Sequence, residues 1–248
     1  MNISIIGYGK MGQLIEQCAR ERDLGVKSII DPFHPQATHK EFTEDAMKGV
    51  DTCICFTQPD VAFSNIENIC KYKKHGVIGT TGWTGQMKEV EKIVKSSGTG
   101  LVYSSNFSIG VNIFFKLIEQ ASKVFNAFDV YDILGYEAHH NRKMDSPSGT
   151  ATTIANIILE NIDRKKTIFE DRLNRKIEPE ELHFASMRGG SIPGTHTVLF
   201  DSEFDTIELK HTARNRLGFA TGAVIASEWI AGKKGLFTES DMMKQLLG

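Results

Sequence analysis

The pattern of glycines near the start of the chain constrains its fold more than any other feature. It matches G-x-G-x-x-G, follows an apolar run at Ile3–Ile6 and opens an amphipathic stretch at Met11–Arg22. The residues of the pattern are Gly7, Tyr8, Gly9, Lys10, Met11 and Gly12. In this context the first glycine allows a tight turn, the second lets the backbone approach a pyrophosphate, and the third lets helix and strand pack closely. The pattern predicts a dinucleotide site at a helix N-terminus, against the alternative of a glycine turn that binds no ligand.

The rest of the first hundred residues alternates between strand and helix patterns. Short apolar runs, typical of buried strands, occur at Ile3–Ile6, Val26–Ile30, Thr52–Phe56, Val77–Ile78 and Leu101–Tyr103. The stretches with helical spacing of apolar residues are Met11–Arg22, Asp60–His75 and Thr84–Lys95. Buried strands joined by helix-length segments indicate a Rossmann-type α/β fold, a doubly wound parallel sheet with right-handed crossovers.

The pattern changes after Asn106. A helix predicted at Asn112–Val124 is followed by a strand at Asp129–Ala138, a helix at Gly149–Ile162 and three more strands. Those strands are His183–Arg188, His196–Asp201 and Thr206–His211, while residues 163–182 read as a solvated excursion of mixed charge. This order predicts a second, α+β domain with a mixed sheet. A final helix at Gly218–Ala231 is expected to return to the first domain. The expected domains are therefore 1–107 with 217–248, and 108–216.

Composition excludes several classes of function. The net charge is −2 over 248 residues, so no global positive field points to nucleic acid or an anionic membrane. No apolar run approaches the roughly 18 residues that a membrane helix needs. The start has no basic region and no cleavage site for export, and the four cysteines form no C-x-x-C pair. We therefore expect a cytoplasmic protein with reduced, buried thiols.

Polar groups that follow the other strands of the first domain extend the predicted dinucleotide site. Asp31 ends the second strand about 20 residues beyond Gly12, where a carboxylate can bind a ribose 2′-hydroxyl. That charge favours NADH and repels the 2′-phosphate of NADPH, although Lys10 leaves dual use open. Strands three and four are followed by turns that would line the ribose and nicotinamide, at Phe56, Thr57, Gly79, Thr80 and Thr81. Taken by itself, each of these stretches indicates only a turn, with no ligand implied.

The densest chemistry lies between residues 137 and 151. His139 and His140 stand where a predicted strand ends, Lys143 follows, and Ser148, Gly149 and Thr150 open a helix. The helix start, its hydroxyls and the lysine together suit a carboxylate on a small substrate. Neighbouring residues at a strand end point to opposite sides, so the two histidines are poorly placed to share a metal and we expect no metal site. The alternatives are a metal bound with Asp145, which the cations oppose, or a capped helix with surface histidines.

These motifs together resemble the dihydrodipicolinate reductases. The stretch Glu137 to Ala151 matches that family's pattern E-x-H-H-x-x-K-x-D-x-P-S-G-T-A, and Gly79-Thr80-Thr81-Gly82 and Asn106 to Asn112 add to it. The resemblance continues through Gly194-Thr195-His196, His211-Thr212-Ala213 and Gly232 to Phe237. Two positions depart from it: Cys55 stands where the family usually has aspartate, and Ser146 replaces a commoner alanine.

The resemblance implies an enzyme that transfers a hydride from NADH and/or NADPH to 4-hydroxy-tetrahydrodipicolinate in lysine and diaminopimelate synthesis. It implies a homotetramer, a cyclic dicarboxylate substrate, His139 and Lys143 as catalytic residues, and His140, Gly149 and Thr150 as substrate ligands. The implied cofactor contacts include Gly7 to Gly12, Asp31, Gly79 to Thr81, Ser104, Ser105, Asn106 and Phe107. We add Arg216 to the cofactor contacts, although an arginine there could equally bridge the domains.

Two other functions stay open from the residues alone. A β-hydroxyacid dehydrogenase shares the G-x-G-x-M-G start, but its second half is helical, whereas residues 183–211 read as strands. A nucleotide-sensing module would need no His-His-x-x-Lys loop.

Overall fold

The computed structural model describes residues 1–247, and the side chains of residues 1–246. The strands in chain order are β1 Asn2–Ile6, β2 Gly25–Ile30, β3 Thr52–Cys55, β4 His75–Ile78, β5 Gly100–Tyr103, β6 Asp132–His139, β7 Thr167–Phe169, β8 Glu181–Arg188, β9 Thr195–Asp201, β10 Thr206–Thr212 and β11 Gly235–Thr238. The helices are α1 Lys10–Glu21, α2 Glu44–Met47, α3 Pro59–Lys71, α4 Met87–Ser97, α5 Ile109–Asn126, α6 Gly149–Asn161, α7 Leu217–Ile230 and α8 Glu239–Leu247. A short 3₁₀ turn at Thr84–Gln86 precedes α4. The chain divides into two compact units, Met1–Ile109 with Arg216–Gly248, and Gly110–Asn215.

The first unit is built on a six-stranded parallel sheet in the order β11-β5-β4-β3-β1-β2. One apolar cluster packs α1 and α7 on the sheet through residues such as Ile15 and Ala223, and a second packs α3 and α4 through Ile66 and Val90. Helices therefore cover both faces, which confirms the predicted doubly wound fold. The direction of winding reverses between β1 and β3, and a crevice outside the carboxyl ends of the strands forms at such a point.

The second unit is built on a five-stranded mixed sheet in the order β10-β9-β6-β8-β7. Strand β6 at its centre is parallel to β8 and antiparallel to β9. Helices α5 and α6 cover one face, where Phe114, Ile118 and Ile154 pack against apolar side chains of the strands such as Phe184 and Phe200. This arrangement confirms the mixed-sheet α+β architecture that the order of predicted elements indicated.

Several element predictions were wrong in detail. The helix predicted to run to His75 ends at Lys71, because Lys73 adopts the left-handed conformation with φ of 53° and β4 begins two residues later. The excursion at residues 163–182 is not uniformly solvated. It contains β7, and Lys165 is buried, with Nζ donating to the backbone oxygens of Pro179 and Glu181.

The predicted final helix is also not the end of the fold. It is followed by β11, which pairs with β5 at the edge of the parallel sheet, and by α8. The four residues of β11 are only half-buried, so they leave a weak apolar signal in the sequence. Across residues 1–247, no helix is both long enough and apolar enough to cross a bilayer.

Candidate active site

The glycine turn of the first unit has the geometry that a bound pyrophosphate needs. Gly7 has φ of 86°, and a Cβ there would lie 2.3 Å from the Phe56 carbonyl oxygen. A Cβ on Gly12 would lie 2.2 Å from the Gly7 oxygen, whereas one on Gly9 would meet no atom within 4 Å. Gly7 and Gly12 therefore serve the packing of the turn. The open space beside Gly9 is where a ligand can approach the backbone.

The N-terminus of α1 faces that space without a competing acceptor. Gly9 is the N-cap residue, so no side chain caps the helix, and its first turn has no acidic residue. The amide groups and the positive end of the helix dipole at this position attract an anion. The exposed Lys10 opens the helix and adds a full positive charge. These features fit the pyrophosphate of a dinucleotide.

Asp31 follows β2 and its carboxylate holds the turn together. Its Oδ2 accepts from the Tyr8 backbone N–H at 2.8 Å, and its Oδ1 accepts from the N–H groups of Phe33 and His34 at 2.9 Å each. Burial opposes ionisation, but these three donors lower the pKa of Asp31 below its ordinary value. A carboxylate has about four acceptor positions, so about one remains for a ligand hydroxyl.

The other predicted cofactor residues of the first unit follow β3, β4 and β5 at the same edge of the sheet. A Cβ on Gly79 would lie 2.1 Å from the Phe56 ring, so this glycine lets the ring lie against the backbone. The Thr80 hydroxyl accepts from the Thr57 backbone N–H at 2.8 Å. The remaining positions are an exposed Thr81, a buried Ser104, an exposed Ser105, Asn106 and a buried Phe107. Tyr8 and Met11 lie in the glycine turn, and Arg216 is the exposed N-cap residue of α7.

Cys55, where the family pattern has aspartate, is fully buried at the end of β3. Its sulfur lies 3.7 Å from the Thr57 hydroxyl and 4.0 Å from the Thr80 hydroxyl, and burial raises the pKa of the thiol. The thiol thus remains neutral and supports the two threonines.

The centre of the second unit is a buried carboxylate, Glu137, on β6. Its Oε1 accepts from the Ser148 backbone N–H at 2.9 Å, from the Ser186 hydroxyl at 2.9 Å and from the Arg188 guanidinium at 2.8 Å. Burial opposes ionisation of this group, but these donors lower the pKa of Glu137 to about 2. The carboxylate is therefore charged at neutral pH and neutralised by Arg188.

His139 lies two residues further along the same face of β6. Its Nδ1 is 2.6 Å from Glu137 Oε2, although the N–H direction is not aligned with that oxygen, so the contact is mainly electrostatic. Burial lowers the pKa of His139, and the charges of Lys143 and Arg188 lower it further. Glu137 acts in the opposite direction. The ring thus stays largely neutral at pH 7 but has a carboxylate ready to stabilise a proton.

Lys143 and His140 lie in the loop after β6. Lys143 Nζ donates to both oxygens of Asp145, at 2.8 and 2.9 Å, and its backbone N–H donates to the His140 oxygen. The His140 backbone N–H donates to the Ile192 oxygen, and the side chain is half-buried. His139 is buried beside Glu137, so the two histidines have different surroundings, as the strand geometry predicted.

The predicted anion site at the start of α6 has a defined cap. The Ser148 hydroxyl accepts from the Ala151 backbone N–H at 3.2 Å, and the Ser148 backbone N–H donates to Glu137. Gly149 is exposed, Thr150 is half-buried, and no acidic residue occupies the first turn. Glu137 therefore contacts the start of α6 with one carboxylate oxygen and His139 with the other.

One cluster in the second unit has the composition of a metal site. One ligand atom each from Glu137, His139 and His196 lie within 4.8 Å of one another, and all three residues are buried. His196 is additionally affected by burial and by the neighbouring His139, which lower its pKa to about 4. Tetrahedral zinc ligands at 2.0–2.1 Å from the metal lie about 3.3 Å apart. The 2.6 Å separation of Nδ1 and Oε2 is shorter, so the cluster does not have the spacing of tetrahedral zinc ligands.

The sequence interpretation assigned no role to Glu137, Ser186, Arg188 or His196. The spacing of Glu137 and His139, two residues apart on one strand, was the available signal that both face the same side. Ser186 and Arg188 pair with β6 across the parallel ladder, where Glu137 aligns with Ser186 and His139 with Arg188. That pairing depends on the order of strands in the sheet, which the local sequence does not encode.

Comparison with known proteins decides the family. The pattern of the dihydrodipicolinate reductase N-terminus matches residues 1–107, and that of the dihydrodipicolinate reductase C-terminus matches residues 110–243. The chain belongs to the dihydrodipicolinate reductase family. The resemblance drawn from the motifs is thereby confirmed. Family membership makes the chain an oxidoreductase, and the Rossmann-type unit implies a nicotinamide cofactor.

Individual relatives agree with this assignment. A 4-hydroxy-tetrahydrodipicolinate reductase of Christiangramia forsetii is 37% identical over 246 residues, covering 99% of both chains. The reductase of the same name from Rickettsia bellii is 38% identical over 250 residues, covering 100% of this chain and 96% of the relative. Among solved structures, a dipicolinate-bound dihydrodipicolinate reductase from Paenisporosarcina sp. TG-14 has a TM-score of 0.75 at 21% identity, covering 96% of this chain and 97% of that one. The last likeness shows the fold alone.

Proposed function

We propose that the chain reduces 4-hydroxy-tetrahydrodipicolinate to tetrahydrodipicolinate with NADH or NADPH, in the biosynthesis of diaminopimelate and lysine. In this reaction one hydride and one proton enter, the hydroxyl leaves as water, and the oxidised nicotinamide is released. The observation that carries the proposal is the Glu137 carboxylate, which contacts both His139 and the backbone at the start of α6. One side chain thus contacts both the proposed proton-transferring residue, His139, and the proposed anion-binding start of α6.

The substrate is a dianion, and its carboxylates are assigned to the start of α6 and the neighbouring loop. Gly149 and Thr150 would bind a carboxylate at the helix N-terminus, and Ser148 completes this site as the buried N-cap residue. His140 is placed as a further carboxylate ligand from the loop. The name of the Paenisporosarcina structure, which includes bound dipicolinate, supports a cyclic dicarboxylate as the ligand.

Proton transfer and charge stabilisation are assigned to His139 and Lys143. When bound, the reduced nicotinamide supplies the hydride. His139 is neutral near pH 7 and can exchange a proton through its imidazole, a contribution of typically ~10²–10⁴-fold. Lys143 stabilises negative charge that develops on the substrate, and Asp145 holds its ammonium group in place.

The cofactor is assigned to the carboxyl edge of the parallel sheet. Gly7 to Gly12 and the start of α1 would hold the pyrophosphate, and Asp31 would bind the adenosine ribose. The residues after β3, β4 and β5 would line the nicotinamide half: Phe56, Thr57, Gly79, Thr80, Thr81, Ser104, Ser105, Asn106 and Phe107. Arg216 is a further proposed contact. Asp31 favours NADH, since it repels a 2′-phosphate and retains about one acceptor position for a 2′-hydroxyl.

We also propose that the chain assembles as a homotetramer in the cytoplasm. The face of the mixed sheet opposite α5 and α6 exposes Leu134 and Met187, at 37% and 50%, which supports burial of this face between copies. The four free cysteines are all buried, as suits a reducing compartment. Sedimentation of the wild type beside Leu134→Glu tests the assembly, since a charge on this face should dissociate it.

The decisive experiment is turnover with freshly prepared substrate. Loss of reduced nicotinamide absorbance is followed with NADH and NADPH in turn, and the cyclic product is identified by mass spectrometry. We expect substrate-dependent oxidation with both cofactors, at a kcat/KM for NADH at least equal to that for NADPH. Absence of oxidation with either cofactor, in protein shown to bind that cofactor, contradicts the proposed function.

A further inference from the structure

We propose that Glu137 is a positioning residue for this reaction, which orients His139 with one carboxylate oxygen and the start of α6 with the other. The inference rests on the proposed function only in the role given to His139. Its structural basis is the division of labour between the two oxygens. Oε1 receives N–H and O–H donors from Ser148, Ser186 and Arg188, whereas Oε2 contacts Nδ1 of His139.

The position of Glu137 is fixed on every side. Its side chain has no exposed surface, and three donors from a loop and from β8 hold Oε1. Oε2 is therefore left in a fixed place toward His139, because rotation of the carboxylate would break these hydrogen bonds. On the other side of the imidazole lies Gly194, where a Cβ would come within 2.9 Å of Nε2. The His139 ring therefore lies between the Glu137 carboxylate and the backbone of Gly194.

A buried carboxylate beside a site for a dianion would ordinarily weaken substrate binding. The Arg188 guanidinium lies 2.8 Å from Oε1 and cancels that charge locally. The same guanidinium donates to the Asp145 backbone oxygen at 2.7 Å, so it also anchors the loop that carries Lys143. Because Arg188 neutralises it, the Glu137 carboxylate can orient His139 without repelling the dianionic substrate.

Charged groups from three elements act on His139: Glu137 on β6, Lys143 on the following loop and Arg188 on β8. His196 on β9 packs edge-on against the His139 ring, with centroids 5.2 Å apart, and His211 on β10 acts on His196. Among these, only Glu137 stabilises a proton on His139, and the cations oppose it. Replacing the carboxylate by an amide should therefore make His139 harder to protonate, and replacing Arg188 should make it easier.

The test is an NMR titration of ¹³C,¹⁵N-histidine-labelled protein without substrate or cofactor, with His139→Gln used to assign the resonance. An opposite charge at this distance changes a pKa by about 1–3 units. Glu137→Gln should therefore lower the His139 midpoint by about one unit or more, and Arg188→Gln should raise it. Glu181→Gln is the matched control, because it removes a carboxylate from the same sheet that is paired with Arg175 instead. It should leave the midpoint unchanged.

Turnover of the same variants separates a positioning role from a structural one. In Glu137→Gln the limb of the pH–rate profile that His139 governs should move with the NMR midpoint, whereas a structural defect would lower kcat equally at all pH values. An unchanged midpoint in folded Glu137→Gln overturns the inference. If that variant does not fold, an unchanged midpoint in Arg188→Gln overturns it.

Two further results distinguish a positioning role for Glu137 from a metal site and from failure of the proposed function. One equivalent of tightly bound zinc in the purified wild type, lost in Glu137→Gln, would assign the cluster to a metal and overturn the positioning role. Failure of the wild type to turn over the substrate would refute the proposed function, while the titration, which needs no substrate, would still decide the role of Glu137.

Discussion

The two units of the molecule differ in the groups that form their proposed sites, which are backbone amides in one and charged side chains in the other. In the first unit, the predicted phosphate site consists of glycines and the amide groups at the start of α1, with empty space beside Gly9. In the second unit, the proposed site consists of side chains that bear charge, organised around the buried Glu137 and its partners. A backbone site recognises a ligand that many enzymes share, while a side-chain site selects one reaction.

This contrast has a physical consequence for substitutions. A backbone amide keeps its dipole at any pH, and among substitutions only proline removes its N–H, so the first site is altered mainly by filling its space. The histidines and the carboxylate of the second site change charge with pH, and each removal leaves a partner uncompensated. We therefore expect changes in the first unit to affect cofactor affinity and changes in the second to affect kcat.

The largest effect is expected for Lys143→Ala. Loss of the ammonium group removes charge stabilisation in the transition state, so kcat should fall by about 10² or more. Cofactor affinity, measured by quenching or enhancement of nicotinamide fluorescence, should hardly change. Lys166→Ala, which removes a lysine from the same unit outside the site, is the control. Turnover of Lys143→Ala close to wild type would remove the lysine from the catalytic role.

The two histidines should respond differently to the same substitution. His139→Gln should lower kcat by about 10²-fold and abolish one limb of the pH–rate profile, because the ring that exchanges the proton is lost. His140→Gln should raise the substrate KM more than it lowers kcat, since a carboxylate ligand is lost. Steady-state kinetics across pH 5–9 separates the two. Matching defects in the two variants would contradict the division of roles.

A methyl group placed beside the first site should act through affinity alone. Gly9→Ala puts a Cβ into open space, at a φ of −73° that alanine adopts readily, so the melting temperature should be unchanged. Overfilling a binding space costs about 1–3 kcal/mol, so the cofactor Kd should rise about 10-fold. Gly12→Ala is the contrasting variant, because its Cβ would lie 2.2 Å from the Gly7 oxygen and should lower stability as well. Unchanged affinity in Gly9→Ala would show that the pyrophosphate lies elsewhere.

A smaller effect is expected in the choice between the two cofactors. Asp31→Ser removes a charge that repels the 2′-phosphate, so the ratio of kcat/KM for NADPH to that for NADH should rise several-fold. Lys10 acts against Asp31 in the wild type, but an exposed ion pair is worth only about 0–1 kcal/mol. The serine also frees the N–H groups of Tyr8, Phe33 and His34, so its melting temperature is measured beside the kinetics. A strong wild-type preference for NADPH, unaltered in the variant, would mean that Asp31 does not face the ribose.

The smallest effect concerns stability against pH. Burial lowers the pKa of His196 to about 4, so the unfolded chain binds a proton more readily than the native one between about pH 6.5 and 4. The stability that neutral His196 contributes is present above that window and is lost as the pH falls through it. The melting temperature should decline over this range by a few degrees more in the wild type than in His196→Gln. Parallel declines would indicate that His196 is not buried as a neutral ring.

The sequence predicted the parts of the molecule that local patterns encode. The glycine turn, the apolar runs of the parallel sheet and the Ser148 cap are all signalled within a few residues, and the structure has them in those places. The short α2, β7 and β11 left signals too weak to distinguish from loops, because their stability depends on neighbours in space. The same reason explains why Arg188 and His196 were not anticipated. They reach Glu137 only through the pairing of β8 and β9 with β6.

The most direct test of the contrast between the units is a cofactor saturation curve for the wild type, Gly9→Ala and Lys143→Ala at a fixed, saturating substrate concentration. Gly9→Ala should reach the wild-type kcat once enough cofactor is present, because only its affinity for the cofactor is reduced. Lys143→Ala should saturate at the same cofactor concentration as the wild type, with a kcat about 10²-fold lower. Recovery of Lys143→Ala at high cofactor concentration, or a reduced plateau for Gly9→Ala, would contradict the assignment of binding to one unit and chemistry to the other.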